Sequence, residues 1–271
     1  MSIERWIADH PFLEPLSRVA FAVERAADET HPALPAPNWD AYLVDFRAGV
    51  PLLASPNARV EACALGGEAV ARMVERAVEV PFPEKLAASA RALRDHLRGG
   101  PEVRRALGSW LLRGEGTPPP EPGFARFAGW TALARLLEPT VEAFGRRRDE
   151  DSWFRGYCPT CGADPAMSQL IESPTGKQRF LSCPCCRSRW RFRRVGCPHC
   201  DNDVPDRMDV LEIEGEERLR IDACKECNGY VKTYVGEGEE PLFLADWTTL
   251  HLDLLAKDRG LERKGASLYE I

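Results

Sequence analysis

Eight of the ten cysteines in this 271-residue chain fall into four Cys-x-x-Cys pairs: Cys158/Cys161, Cys183/Cys186, Cys197/Cys200 and Cys224/Cys227. Two intervening residues let both sulfurs reach one ion from a tight turn, so each pair can clip one edge of a tetrahedral metal. A lone pair would suit a redox dithiol equally well, but four in series point to two bound metals. A closed four-thiolate shell has no open coordination position, which argues against hydrolytic chemistry. Zinc and iron both suit an all-sulfur tetrahedron. Zinc would be a staple, whereas iron would also cycle by one electron.

The residues between the clips indicate how they pair. From Cys161 to Cys183 the chain reads as a strand (Met167 to Ile171), a turn at Ser173-Pro174-Thr175-Gly176 and a returning strand (Gln178 to Ser182). The pattern recurs as Arg207 to Ile213, a turn near Glu214-Gly215-Glu216, and Arg218 to Asp222, where Leu219, Ile221 and Ala223 alternate with polar residues. Knuckle, hairpin, knuckle describes a zinc-ribbon or rubredoxin-like module, repeated with first cysteines 39 residues apart. Each hairpin returns its second clip beside its first. The expected sites are therefore Cys158/Cys161 with Cys183/Cys186, and Cys197/Cys200 with Cys224/Cys227; a pairing across modules is the alternative.

The residue after each second cysteine favours positive φ, so that backbone N–H groups can point at the thiolates. Gly162 suits this freely and Asp201 and Asn228 tolerate it, whereas Arg187 does not. In Cys183-Pro-Cys185-Cys186 we take Cys183 and Cys186 as ligands and Cys185 as a spare thiol. His199, inside the third clip, is expected beside the site rather than on the metal. His251 reads as a helix-surface histidine, with a partner contact as the functional alternative. Trp153, Tyr157 and Tyr230 flank the clips and are expected to keep water from the metals. Arg187, Arg189, Arg191 and Arg193 alternate with Ser188, Trp190 and Phe192, placing four arginines on one face of a strand. That face suits an acidic protein, phosphate or RNA; the plainer reading is a solvated face neutralised by local acids such as Glu212, Glu214, Glu216 and Glu217.

The region that must carry these clips divides near residue 150. Residues 1–150 hold one cysteine, Cys63, expected to be buried, and read as a helical bundle. Phe12, Leu16, Val19, Ala20, Val23 and Ala27 keep helical spacing. Asn38 is a candidate cap for a helix presenting Trp39, Leu43 and Phe46. Leu86 to Leu97, and Val103 to Leu111 behind Pro101, give two more helices. A Gly/Pro loop at 114–123 follows, then a helix from Phe124 to Arg147 that Pro139 should kink or split. The charged run 146–151 reads as a hinge. The expected units are thus a helical domain (1–150), a first four-cysteine module (151–195) and a second (196–271) ending in a helix capped by Thr248 or Thr249. Each module is expected to fold only with its metal, independently of the bundle.

Composition narrows the function. Net charge is −6, which disfavours a general nucleic-acid binder. No apolar run approaches the ~18 residues of a membrane span. The N-terminus MSIERWIADHPF lacks the apolar core of a signal peptide, so a cytoplasmic protein is expected, in which clustered cysteines hold metal rather than form disulfides. The bundle shows no catalytic constellation.

Taken together, CPTCGADPAMSQL, RFLSCPCCRSRWRFRRVGCPHC, DACKECNGYVKTY and DWTTLHLDLLAKDRG behind a helical domain resemble the FdhE family of formate dehydrogenase accessory proteins. The resemblance is carried by about residues 153–260, while 1–150 agree only in size and helical character. It implies an α+β protein with tandem rubredoxin-like sites, ligated by the eight clip cysteines and associated with iron rather than zinc. It also implies a cytoplasmic maturation factor, not an enzyme, that contacts the catalytic subunit of formate dehydrogenase. A rubredoxin-like electron carrier, a thiol oxidoreductase and a zinc-ribbon nucleic-acid binder are the rival readings.

Overall fold

The computed structural model describes residues 1–28, 34–80 and 82–267. Its N-terminal part is helical: α1 (Ile3–Asp9), α2 (Glu14–Asp28), α3 (Trp39–Ala48), α4 (Ala62–Ala77), α5 (Glu84–Leu97), α6 (Pro101–Arg113) and α7 (Pro122–Gly145). The long first helix expected from Phe12 onward forms as α2, beginning two residues later because Pro11 and Pro15 set a 3-10 turn (Pro11–Leu13) in front of it, and the short α1 precedes that turn. Leu13 is buried there and Phe12 is exposed, reversing the expected burial of Phe12. In α3 the cap is as expected, Asn38 Oδ1 accepting from Ala41 N–H at 3.4 Å. Leu43 is exposed, however, and Tyr42 takes the buried position with its hydroxyl on the Val50 carbonyl at 3.0 Å.

Pro139 does not split α7, which runs unbroken from Pro122 to Gly145. The helix is buried on nearly every side from Phe124 to Leu137, and that packing outweighs the local cost of about 3 kcal/mol for an interior proline. Helices α4 and α6 touch backbone to backbone. A Cβ on Gly67 would lie 1.9 Å from the Arg104 carbonyl, and one on Gly108 1.9 Å from that of Cys63. Cys63 is therefore held at the helix contact, half-buried rather than in the core.

The C-terminal part supplies β1 (Met167–Ile171), β2 (Gln178–Ser182), β3 (Arg189–Phe192), β4 (Met208–Glu212), β5 (Leu219–Cys224) and β6 (Tyr230–Val235), then α8 (Glu240–Phe243) and α9 (Leu250–Asp258). Both expected hairpins form, in register Met167↔Ser182 and Met208↔Cys224. What the sequence reading did not contain is their fusion. Strand β6 pairs antiparallel with β5 and parallel with β1, giving one six-stranded sheet in the order β3-β2-β1-β6-β5-β4. Thr249 stands at the α9 N-cap position without a side-chain cap; its hydroxyl bonds the Asp246 carbonyl at 3.2 Å.

Two apolar clusters form the core, and neither respects the 150/151 division. The larger joins α2–α7 to Trp153, Leu181, Trp190, Phe192 and the first group of cysteines. The smaller joins Trp6, Leu13 and Ala20 to Leu219, Ile221, Tyr234, Phe243 and Leu252. The chain's first 20 residues thus pack on the second module, and the bundle packs on the first.

Candidate metal centres

All four clips are built alike. The N–H of each first cysteine donates to the carbonyl five residues on: Cys158 to Ala163, Cys183 to Ser188, Cys197 to Asn202 and Cys224 to Gly229, at 2.8–2.9 Å. The turn this closes carries a left-handed residue after each second cysteine: Gly162 at φ 85°, Arg187 at 59°, Asp201 at 59° and Asn228 at 58°. Arg187 adopts the conformation despite its Cβ, at a cost of about 1–2 kcal/mol, so the first site keeps the same knuckle as the others. Backbone N–H groups approach sulfur, Thr160 to Cys158 and Gly229 to Cys227 at 3.4 Å, and Cys186 to Cys183 at 3.5 Å.

The folded hairpins bring Cys158, Cys161, Cys183 and Cys186 into one cluster and Cys197, Cys200, Cys224 and Cys227 into another. The pairing is the one expected within each module. Across the first cluster Cys158–Cys186 and Cys161–Cys183 are 3.5 and 3.4 Å apart; across the second Cys197–Cys227 and Cys200–Cys224 are 3.6 and 3.7 Å. A tetrahedron with ~2.3 Å metal–sulfur bonds has edges near 3.8 Å, so both clusters fit a four-thiolate ion with little movement. Burial pushes Cys158 up, yet hydrogen bonds from Cys161, Cys183 and Cys186 bring it well below the ordinary thiol value. Cys161 is driven well above that value by its bond to Cys158 and then to its other neighbours. Four sulfurs in contact cannot all ionise unless positive charge joins them.

The two clusters differ in access. The first is buried throughout, whereas in the second Cys200 is exposed and Cys227 half-buried. Cys185 is buried beside the first cluster but outside its four sulfurs. His199 also stays outside, its Nε2 3.3 Å from the Tyr230 carbonyl, and burial lowers its basicity. Trp153 is buried, stacks on Phe46 at 5.1 Å and donates to the Tyr157 carbonyl at 2.9 Å. Tyr157 donates to the Gly49 carbonyl at 2.8 Å and Tyr230 to Asp253 at 2.7 Å. These rings anchor the knuckles to their neighbours.

Of the four arginines, only Arg189 and Arg191 lie on β3. Each of the four has a partner within the chain: Arg187 pairs with Glu24, Arg189 bonds Gln169, Arg191 pairs with Asp151, and Arg193 with Asp201. The acids that meet them are not the ones anticipated from the β4–β5 region. Sequence reasoning missed Arg179, fully buried on β2, which bonds Ser168 at 2.8 Å and the Gly196 carbonyl at 2.8 Å and lies 3.4 Å from Asp222 on β5. A lone arginine between Gln178 and Phe180 carried no signal of burial.

With this geometry established, comparison with known proteins is direct. Residues 157–194 match the family model described as FdhE, central domain. The chain is similar to the FdhE family. Protein FdhE homologs from Aquifex aeolicus and Stutzerimonas stutzeri are 30% and 34% identical over 133 and 153 residues, covering 47% and 54% of this chain and 47% and 46% of theirs. The chain thus spans about half the length of the curated FdhE relatives it matches. The crystal structure of the FdhE protein from Pseudomonas aeruginosa superposes with a TM-score of 0.60 at 21% identity, over 91% of this chain and 84% of that one. The fold is therefore that of an FdhE protein across helical and sheet regions alike. Among the described residues, no helix is long and apolar enough to cross a membrane.

Proposed function

We propose that this FdhE-like chain is a cytoplasmic maturation factor that binds the catalytic subunit of formate dehydrogenase and acts by docking rather than by turnover. The observation that carries the reading is the pair of four-cysteine clusters with tetrahedral spacing inside an FdhE-like fold. The eight clip cysteines are the ligands of two metal ions, iron in preference to zinc. The helical region 1–150 and the metal-bearing units 151–195 and 196–271 together present the docking surface. Within it, the half-exposed Arg187 is the stripe member best placed to exchange its internal partner for an acidic surface.

The chain's own residues would hold each metal by four thiolates oriented by the backbone N–H groups described above. When bound, iron supplies a one-electron couple and zinc a fixed cross-link. The test is deletion of the gene together with affinity capture. Formate dehydrogenase activity is lost while its catalytic subunit is still made, and the two proteins co-purify. Full activity in the deletion strain without a substituting paralogue ends this reading.

A second reading, a one-electron carrier, is favoured by the exposure of Cys200. An intact complex that loses activity only when zinc replaces iron would move the function from docking to electron transfer.

A further inference from the structure

Outside the cysteine clusters, three further potential ligands converge from distant parts of the chain. His10 closes α1, Glu216 lies in the β4–β5 turn, and His251 lies in the first turn of α9. One ligand atom from each lies within 4.8 Å of the other two. His10 Nε2 is 3.3 Å from the Glu216 carboxylate and His251 Nε2 is 2.8 Å from it. Each group is fixed separately. The His10 ring stacks on Trp6 at 3.9 Å, Trp6 donates its indole N–H to the Thr248 carbonyl at 2.9 Å just before α9, and Glu216 N–H closes the turn on the Ile213 carbonyl at 3.0 Å.

The polarity of the cluster is unbalanced. His10 Nδ1 faces the Trp6 carbonyl at 3.0 Å, an acceptor, so Nδ1 carries the ring proton. Nε2 then turns its lone pair toward a carboxylate, which also only accepts. A positive charge between them removes the conflict. The Nδ1–carbonyl bond is also the outer contact that orients a metal-binding histidine and fixes its tautomer. Among the described residues His251 Nδ1 has no hydrogen-bond partner, so the polar engagement the structure shows for this ring is through Nε2 toward Glu216.

We propose that His10, Glu216 and His251 form a third metal site, for a divalent ion of the zinc type. Two imidazoles and one carboxylate are a three-ligand set that leaves coordination open to a further ligand. Closing on an ion asks the 2.8 Å pair to open by about 0.6 Å, toward the ~3.4 Å edge of a tetrahedron with ~2.1 Å bonds. His251 also lines a cleft of about 770 Å³ walled by Phe12, Leu16, Leu250 and Leu254, which gives an exogenous ligand room beside the ion. The site is chemically distinct from the thiolate clusters: it takes harder nitrogen and oxygen coordination, and it binds reversibly at the surface.

The test uses full-length protein with both cysteine clusters already filled with zinc. Equilibrium dialysis against buffered free Zn²⁺ takes the wild type from two to three equivalents. Glu216→Gln and His251→Asn each weaken the third equivalent by more than the ~10–100-fold that loss of an outer contact costs, with two equivalents retained. NMR of the wild type gives an answer that does not depend on how the variants fold: zinc moves the ring signals of His10 and His251 and leaves those of His96 and His199 in place. Saturation at two equivalents, a third that persists in both variants, or unmoved His10 and His251 signals would each overturn the proposal and leave a proton as the charge that joins His10 to Glu216.

Discussion

Lys232 on β6 stands beside Met167 on β1 in the parallel step that joins the two hairpins, and its buried ammonium lies 2.7 Å from both Asp246 and Asp253. Arg263, from the segment after α9, meets the same two carboxylates at 3.0 and 2.7 Å. This four-charge cluster lies wholly within the second module and ties β6, the strand that pairs with β1, to α9 and the segments flanking it.

Replacing Lys232 by Met keeps the side-chain volume but leaves Asp246 buried with Arg263 as its remaining cation. Breaking a buried ion pair from one side costs about 3–5 kcal/mol, and the surviving Arg263 contact places this case near the lower end. Chemical unfolding of the metal-loaded protein measures it. A loss under ~1 kcal/mol would show that the cluster is not holding β6 to α9.

The same cluster sets an acid limit. Burial raises Asp246, but the charges of Lys232 and Arg263 outweigh it and hold the carboxyl well below the ordinary aspartate value. A group depressed on folding stabilises fully above its unfolded pKa, about 3.9, and loses that contribution as pH falls further. Melting temperature is expected to be level from pH 7 to about 5 and to drop below about 4. Asp246→Asn should be less stable at pH 7 and show a shallower drop. A parallel pH profile in the variant would assign the acid sensitivity to release of metal from the thiolates instead.

Arg187 offers a milder test. Its positive φ suits glycine, and its ion pair with Glu24 is half-exposed. Arg187→Gly should relieve about 1 kcal/mol of backbone strain and give up a surface pair worth ~0–1 kcal/mol. The expected result is a neutral to slightly stabilised protein with unchanged metal content, read by melting and metal analysis. Loss of metal from the first site would mean the guanidinium, not the turn, orders that knuckle.

The clips and hairpins were legible because their signals are local. Spacing in Cys158-x-x-Cys161 and alternation in Leu219, Ile221 and Ala223 are read within a few residues, and β1 and β2 form over the segments expected. The β1–β6 junction was not legible, because parallel pairing between Met167 and Lys232 leaves no turn residue to mark it. Burial of Arg179 and Lys232 depends on acids 14 to 43 residues away, at Asp222 and Asp246. His251 read as an ordinary surface histidine because its partners, His10 and Glu216, lie 241 and 35 residues distant. Phe12 and Leu43 misled for a related reason: helical spacing names a face, but the turn at Pro11 and the hydroxyl of Tyr42 decided which residue occupied it.

Metal removal should separate the two centres. Cys158, Cys161, Cys183 and Cys186 share one apolar cluster with Phe46, Trp153 and the bundle, and the loop after α3 hydrogen-bonds directly to this knuckle, Leu52 to the Pro159 carbonyl and Leu53 to that of Thr160, both at 2.9 Å. The second cluster opens to solvent at Cys200. A chelator should therefore strip the second site first, and Cys200→Ser should lose one metal while the helical signal melts nearly as before. Cys158→Ser should lose the other metal and also lower the melting of the helices, since the unpaired thiolates sit inside the bundle's own core. This departs from the independent modules expected from sequence, because the structure places the first site in a shared core. Structural metal binding of this kind supplies roughly 10–16 kcal/mol in isolated zinc-finger peptides, so the loss should be large. Circular dichroism with metal analysis on both variants decides the point: equal, small effects on helix melting would show that the first site and the bundle are energetically separate after all.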